Sequence, residues 1–322
     1  ARFRVMRRAL AALGWAALFA AIGAVLCFAA GYLAAQTGHY PIKMRLYFLG
    51  LGAAEGLALG VLALCFGGLP GTRPKRQLRL GPLRAIWLLI LAGLVMGLAT
   101  LLPVLPPLDA GLLQSLHTGR VHLPDFRKPL SLMEIVICGE LAVALWLVGA
   151  LRRLGPALAQ DGSPAGLAWR PARGQDYALA MILALAVILL VLGIFHLLPP
   201  DPAKLQSLPS ARMLSGPLWA LPALLLAICV LAPIVEEILF RGILFAGLAS
   251  RLGPVWATLL SSLLFAALHA PEKLHYPPGF VDVTLLALIN CGLRLRLGSI
   301  RPGIALHIAY NTGLLLAALL LH

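Results

Sequence analysis

Long apolar stretches recur along the whole chain, and short segments that carry most of the basic residues separate them. A helix that crosses a bilayer needs roughly 20 mainly apolar residues. On that measure the sequence predicts about nine spans, at residues 9–35, 46–69, 84–106, 131–151, 177–198, 217–248, 254–270, 281–297 and 302–321. We therefore expect an all-α fold, a polytopic bundle of membrane-spanning helices.

The composition supports a membrane protein and argues against a nucleic-acid partner. Of the 322 residues, 61% are hydrophobic and 12% are charged, a balance that soluble globular domains do not show. The net charge is +14, but the basic residues form short clusters between apolar stretches instead of one basic face. The five cysteines lie singly in apolar segments, which predicts neither disulfides nor a thiolate metal site. The expected partner is the lipid bilayer.

The basic clusters alternate along the predicted spans. The N-terminal segment and the second, fourth and eighth connections carry more Lys and Arg than the first, third, fifth and seventh, with the richer clusters at residues 2–8, 73–84, 152–173 and 294–301. Basic segments of membrane proteins remain preferentially in the cytoplasm. The pattern therefore predicts a cytoplasmic N-terminus.

Two adjacent glutamates and an arginine interrupt the apolar stretch at residues 231–245. Such charges cost roughly 2.5 to 3.5 kcal/mol each in the membrane and mark functional sites by default. Glu237 and Arg241 are four residues apart, with the acid first, which favours an ion pair on one helical face. Glu236 points about 100° away and is available as a general base. The alternative that all three charges only hold helices together stays open.

Two further polar pairs occur in the predicted helices near the C-terminus, each with a spacing of four residues. Phe265 and His269 form the first pair, and His307 and Asn311 form the second. This spacing places both members of a pair on one face of a helix. Because two histidines, an asparagine and a glutamate come from neighbouring helices, we expect them to form one site.

These residue types suit the hydrolysis of an amide. Glu236 and His269 can hold a water molecule, and the carboxylate can take its proton during attack on a carbonyl. His307 and Asn311 can donate hydrogen bonds to the oxyanion that develops. The expected function is that of an intramembrane endopeptidase acting on a membrane-associated peptide or protein.

The three motifs, EExxxR, FxxxH and HxxxN in this order, resemble those of the CPBP family, which contains type II CAAX prenyl endopeptidases and bacterial bacteriocin-processing and self-immunity proteins. The likeness covers residues 163–322 and implies a protease-like core in the last four or five helices. It divides the chain into an N-terminal transmembrane region, 1–153, and a CPBP-like domain, 154–322, and it implies a bacterial inner membrane. By position it implies catalytic roles for Glu236, His269, His307 and Asn311, and supporting roles for Glu237, Arg241 and Phe265.

Three alternatives stay open at this stage. A zinc ion held by Glu236, His269 and His307 would leave a coordination position for water, although a metal-free mechanism uses the same residues and is preferred. A non-catalytic membrane scaffold or immunity protein of the same fold would keep the polar residues for binding a peptide or partner protein. If the protein were a transporter, Glu55 or Glu140, which lie in predicted spans, would matter as much for function as Glu236.

Overall fold

The structure is a computed structural model that describes residues 42–67, 80–101, 116–120 and 128–321. Within these ranges all regular structure is helical, which confirms the all-α prediction. Five segments of the described residues are long and apolar enough to cross a membrane. They are Arg45–Leu62, Pro82–Ala99, Pro129–Leu154, Gly174–Leu197 and Leu221–Leu268.

The predicted number of nine spans is not confirmed. The first predicted span, 9–35, lies outside the described residues. The predicted spans 217–248 and 254–270 form one helical segment, Leu221–Leu268. The last two predicted spans are helical but are not among these five segments; one contains the charged residues Asp282, Arg294 and Arg296, and the other contains Arg301, His307 and Asn311.

The main helices follow the predicted apolar stretches closely. In chain order they are α1 (Ile42–Gly67), α2 (Pro82–Ala99), α3 (Pro129–Leu154), α4 (Gly174–Leu197), α5 (Leu221–Leu226), α6 (Ala232–Glu237), α7 (Phe245–Leu268), α8 (Phe280–Leu297) and α9 (Arg301–Leu321). Two π-helical segments, π1 (Ala227–Leu231) and π2 (Ile238–Leu244), join α5, α6 and α7. Short helices lie at Pro156–Gln160, Pro202–Ser207, Pro209–Leu214, Ala270–Lys273 and Pro277–Gly279.

The chain separates into two compact units, which are interleaved along the sequence. The first unit contains the described residues within 1–72, 91–152 and 206–232. Its core includes Phe48, Met133 and Trp219, and the rings of Phe48 and Trp219 meet edge to face at 5.3 Å. Glu55 and Glu140 are buried in this unit.

The second unit contains the described residues within 73–90, 153–205 and 233–322, and it includes every predicted site residue. In this unit α9 packs along α4 and against α8, and α8 packs against α7. The approach of α4 and α9 is close at a glycine, because a Cβ added at Gly313 would lie 2.5 Å from Cδ1 of Ile188, and this side chain would have to shift. The division of the sequence between residues 153 and 154 stays a prediction.

A break divides α7 where the sequence analysis begins a new span. Gly253 has φ 81° and ψ 170° inside the helix, and Pro254 follows it. This backbone conformation is open almost only to glycine. Proline is tolerated in the first turn of the second part of the helix, where its missing N–H has no helical partner to lose.

Gly253→Ala is therefore expected to destabilise the protein by roughly 1–3 kcal/mol, because alanine is strained in this backbone region. Thermal unfolding in detergent measures the loss. Gly292→Ala in α8 is the matched control, since its added Cβ would meet nothing within 4 Å and alanine favours the helix over glycine. Equal losses in the two variants would contradict this account of the break.

Candidate active site

The two glutamates lie in opposite environments at the junction between α6 and π2. The Glu237 side chain is fully buried, whereas 28% of the Glu236 side chain is exposed. The widened π-helical turn begins directly after Glu237 and contains Arg241, and such turns occur frequently at functional sites. Glu236 is thus the accessible carboxylate of the pair, and Glu237 belongs to the protein interior.

Glu237 is the centre of a buried polar network. Its Oε1 lies 3.1 Å from Nη1 of Arg241, which is the ion pair expected from their spacing. The same oxygen accepts hydrogen bonds from Nδ2 of Asn290 at 2.9 Å and from Nδ1 of His307 at 3.0 Å. Because these partners come from π2, α8 and α9, Glu237 connects three elements at one atom.

His307 lies between the two glutamates. Because a carboxylate oxygen only accepts, Nδ1 of His307 carries the hydrogen that it shares with Glu237. The other ring nitrogen, Nε2, lies 3.7 Å from Oε2 of Glu236, which is too long for a direct hydrogen bond. A water molecule or a substrate oxygen beside these two atoms would therefore be in reach of both.

Phe265 forms the apolar wall behind these groups. Its ring is buried and lies 4.2 Å from the guanidinium carbon of Arg241, a cation–π contact. It also contacts the rings of His269 at 4.7 Å, His307 at 6.0 Å and Phe240 at 5.2 Å, measured between centroids. Phe265 thus brings residues of all three sequence motifs to one place.

His269 caps the C-terminal end of α7 and is half-buried. Its Nδ1 lies 2.9 Å from the backbone carbonyl oxygen of Phe265. A carbonyl only accepts, so Nδ1 carries the hydrogen and Nε2 of the neutral ring is left as an acceptor. His269 and His307 both contact the ring of Phe265. Between the described side chains of His269 and Glu236 there is no direct hydrogen bond.

Asn311 follows His307 by one turn on α9 and is half-buried. The spacing of four residues keeps both side chains on one helical face, as expected. Asn311 thus belongs to the helix that supplies His307 to the two glutamates.

The motifs lie in a stretch of the chain that resembles known peptidases. Residues 217–313 match the Rce1-like family of type II CAAX prenyl endopeptidases. The match confirms, over these residues, the CPBP resemblance expected from the three motifs. No curated protein and no solved structure matches the chain.

The Rce1-like segment does not gather the alternative zinc ligands into a metal-binding cluster. Among the described residues, no group of three or more His, Cys, Asp and Glu side chains is placed to hold a metal ion. Nδ1 of His269 faces a carbonyl of its own helix, and Nδ1 of His307 is used by Glu237. These contacts leave Nε2 of each ring as the nitrogen that could bind a metal, so the donor types of Glu236, His269 and His307 suit zinc although they do not form a metal cluster in this arrangement.

The Rce1-like segment also contains polar residues that the sequence analysis missed. Asp282, Asn290 and Arg294 are all buried in α8. They are separated by eight and four residues, so they share one broad face of the helix. This periodicity within an apolar stretch was the signal available in the sequence, and Asn290 is the member that reaches Glu237.

Proposed function

We propose that the second unit is an intramembrane endopeptidase that hydrolyses a peptide bond of a membrane-associated peptide or protein. The observation that carries this proposal is the contrast between the two glutamates. Glu237 is fully buried and accepts from His307, while Glu236 is 28% exposed beside the other face of the same imidazole. One carboxylate thus orients the histidine, and the other is available to substrate and water.

In the first step, Glu236 acts as the general base. A water molecule beside Oε2 of Glu236 donates one hydrogen to that carboxylate and the other to Nε2 of His269. As the water oxygen attacks the substrate carbonyl, its proton passes to Glu236. The same proton then passes to the nitrogen of the departing peptide, so that the C–N bond breaks and the carboxylate is regenerated.

In the second part of the mechanism, α9 stabilises the negative charge on the substrate oxygen. The Nδ1 hydrogen bond to Glu237 orients the ring of His307, so that Nε2 can donate to the oxyanion when it carries a hydrogen. The side-chain amide of Asn311 supplies a second donor from the same face of α9. Preorganised donors of this kind commonly supply the largest single contribution to catalysis in a site of low dielectric.

The membrane context limits the substrates that reach this site. Several apolar helices make the chain a multi-pass membrane protein. From the family resemblance and the alternation of basic clusters we infer a bacterial inner membrane and a cytoplasmic N-terminus. The name of the matching family refers to CAAX prenyl endopeptidases. A lipidated peptide and an unmodified membrane peptide are the two substrate classes to compare.

The experiment is a cleavage assay with purified full-length protein in detergent. Fluorogenic peptides with and without a prenyl group are incubated with the wild-type protein, in the presence and absence of a chelator. We expect cleavage of at least one peptide class and no effect of the chelator. The absence of cleavage by well-folded protein, across soluble, lipidated and transmembrane peptides, would contradict the proposal.

A further inference from the structure

The position of His269 depends on the segment that follows it. His269 is the capping residue that directly follows α7, with φ −87° and ψ −1°, and the connection to α8 begins at this point. The carbonyl oxygen of His269 accepts from the backbone N–H groups of Glu272 at 3.2 Å and Lys273 at 3.0 Å. The histidine is therefore held by α7 on one side and by the connection, residues 269–279, on the other.

A buried carboxylate fixes this connection. Oδ2 of Asp282, in the first turn of α8, lies 2.9 Å from Nζ of Lys273. The same oxygen accepts a hydrogen bond from the hydroxyl of Tyr310 at 2.7 Å. The Asp282 side chain is 3% exposed and the Lys273 side chain 22% exposed, so these contacts are largely shielded from solvent.

The three residues of this cluster join the elements that carry the two histidines. Lys273 follows His269 by one turn, and Tyr310 follows His307 by three residues on α9. Gly279 provides the space for the lysine, because a Cβ at that position would lie 3.1 Å from Cδ of Lys273. Asp282, by contacting both Lys273 and Tyr310, thus fixes the distance between the start of the connection and α9.

We propose that Asp282 is a positioning residue for His269. By accepting hydrogen bonds from Lys273 and Tyr310, it holds the start of the connection against α9 and so fixes the imidazole of His269 relative to His307. The expected effect on kcat rests on the proposed peptidase function. The expected effect on the position of the His269 ring does not depend on activity.

The kinetic test compares Asp282→Asn and Tyr310→Phe with the wild type. Misplacing a catalytic group by about 1 Å can cost 10²-fold in rate, so we expect kcat to fall roughly 10- to 100-fold with KM unchanged. In a His269→Ala background the same substitutions should cause no further loss, because Asp282 acts through His269. Lys273→Arg should keep activity that Lys273→Met loses.

The matched control is Ser299→Ala, which removes a buried hydroxyl and its hydrogen bond to the Arg170 carbonyl, away from the connection. It is expected to lower thermal stability while kcat is kept. A loss of kcat in Asp282→Asn that persists unchanged in the His269→Ala background would overturn the proposal. A kcat loss of the same size in Ser299→Ala would overturn it as well.

A second readout does not require cleavage. In protein labelled with ¹⁵N-histidine, the His269 ring should show hydrogen on Nδ1 in the wild type, and a mixture of ring states in Asp282→Asn and Tyr310→Phe. The His307 signals, held by Glu237, should change little. Unaltered His269 signals in both variants would overturn the positioning role, whereas a wild type that cleaves no peptide but shows these shifts would contradict only the proposed function.

Discussion

Glu236→Gln is expected to abolish peptide cleavage while the protein keeps its fold. Glutamine has nearly the shape of glutamate but cannot take a proton from water at neutral pH. General base catalysis contributes typically 10²–10⁴-fold in rate, and we expect a loss of kcat in that range. Because 28% of the Glu236 side chain is exposed and no ion pair with Arg241 depends on it, thermal unfolding should be almost unchanged.

Glu272→Gln is the matched control for this variant. Glu272 also lies in the second unit, close in sequence to His269, and it has no place in the proposed mechanism. We expect its kcat to equal that of the wild type. Full activity in Glu236→Gln would contradict the role of Glu236 as the general base. Absence of cleavage by the folded wild type would instead favour a non-catalytic scaffold that binds a peptide or partner protein.

Arg241→Met is expected to cause the largest loss of stability among the site variants. The guanidinium of Arg241 is 1% exposed and lies 3.1 Å from the fully buried Glu237. Removing one partner leaves a charge without its counter-charge in the interior, which costs roughly 3–5 kcal/mol. The loss should appear as a lower midpoint of thermal unfolding in detergent and as a lower yield of folded protein.

Two comparisons isolate the ion pair from the loss of packing. Arg251→Met, at an exposed position of α7, should change stability by no more than about 0.5 kcal/mol, as is usual for surface substitutions. The double variant Glu237→Gln with Arg241→Met should be less destabilised than the sum of the two single variants, because no charge is left alone. Strict additivity would contradict a direct pairing of Glu237 with Arg241.

The features that depend on neighbours along one helix could be predicted from the sequence. The apolar stretches set the approximate limits of α1 to α4, and the spacing of Glu237 and Arg241 predicted their contact. The same reasoning separated Glu236 from Glu237, and the structure places them in exposed and buried environments. These predictions rest on helical periodicity, which the sequence contains directly.

The features that depend on packing between helices could not be predicted in the same way. The sequence analysis assigned His307 to an oxyanion site with Asn311, but it did not predict that Glu237 would accept from the His307 ring. Asn290 and Asp282 were missed because their partners are 53 and 28 residues away in the chain. A polar residue in an apolar stretch can be expected to have a hydrogen-bond partner when it is buried. Only the packing of α8 against its neighbours identifies that partner.

The number of spans shows a second limit of hydropathy. A helix such as α8 satisfies the length criterion but carries Asp282 and Arg294 on its buried face. Average hydropathy cannot distinguish charges that face protein from charges that face lipid. Composition alone therefore does not predict whether a helix such as α8, which contributes to the candidate site, crosses the membrane.

The measurement that tests the central claim most directly is mass spectrometry of peptide products formed in H₂¹⁸O. Wild-type protein and Glu236→Gln are incubated with the same membrane peptide, and the new C-terminal carboxylate is examined. The account predicts that the wild type releases a product with ¹⁸O in that carboxylate and that Glu236→Gln releases none. Equal labelled product from both proteins, or no product from folded wild type across the peptide panel, would contradict hydrolysis by a water molecule activated at Glu236.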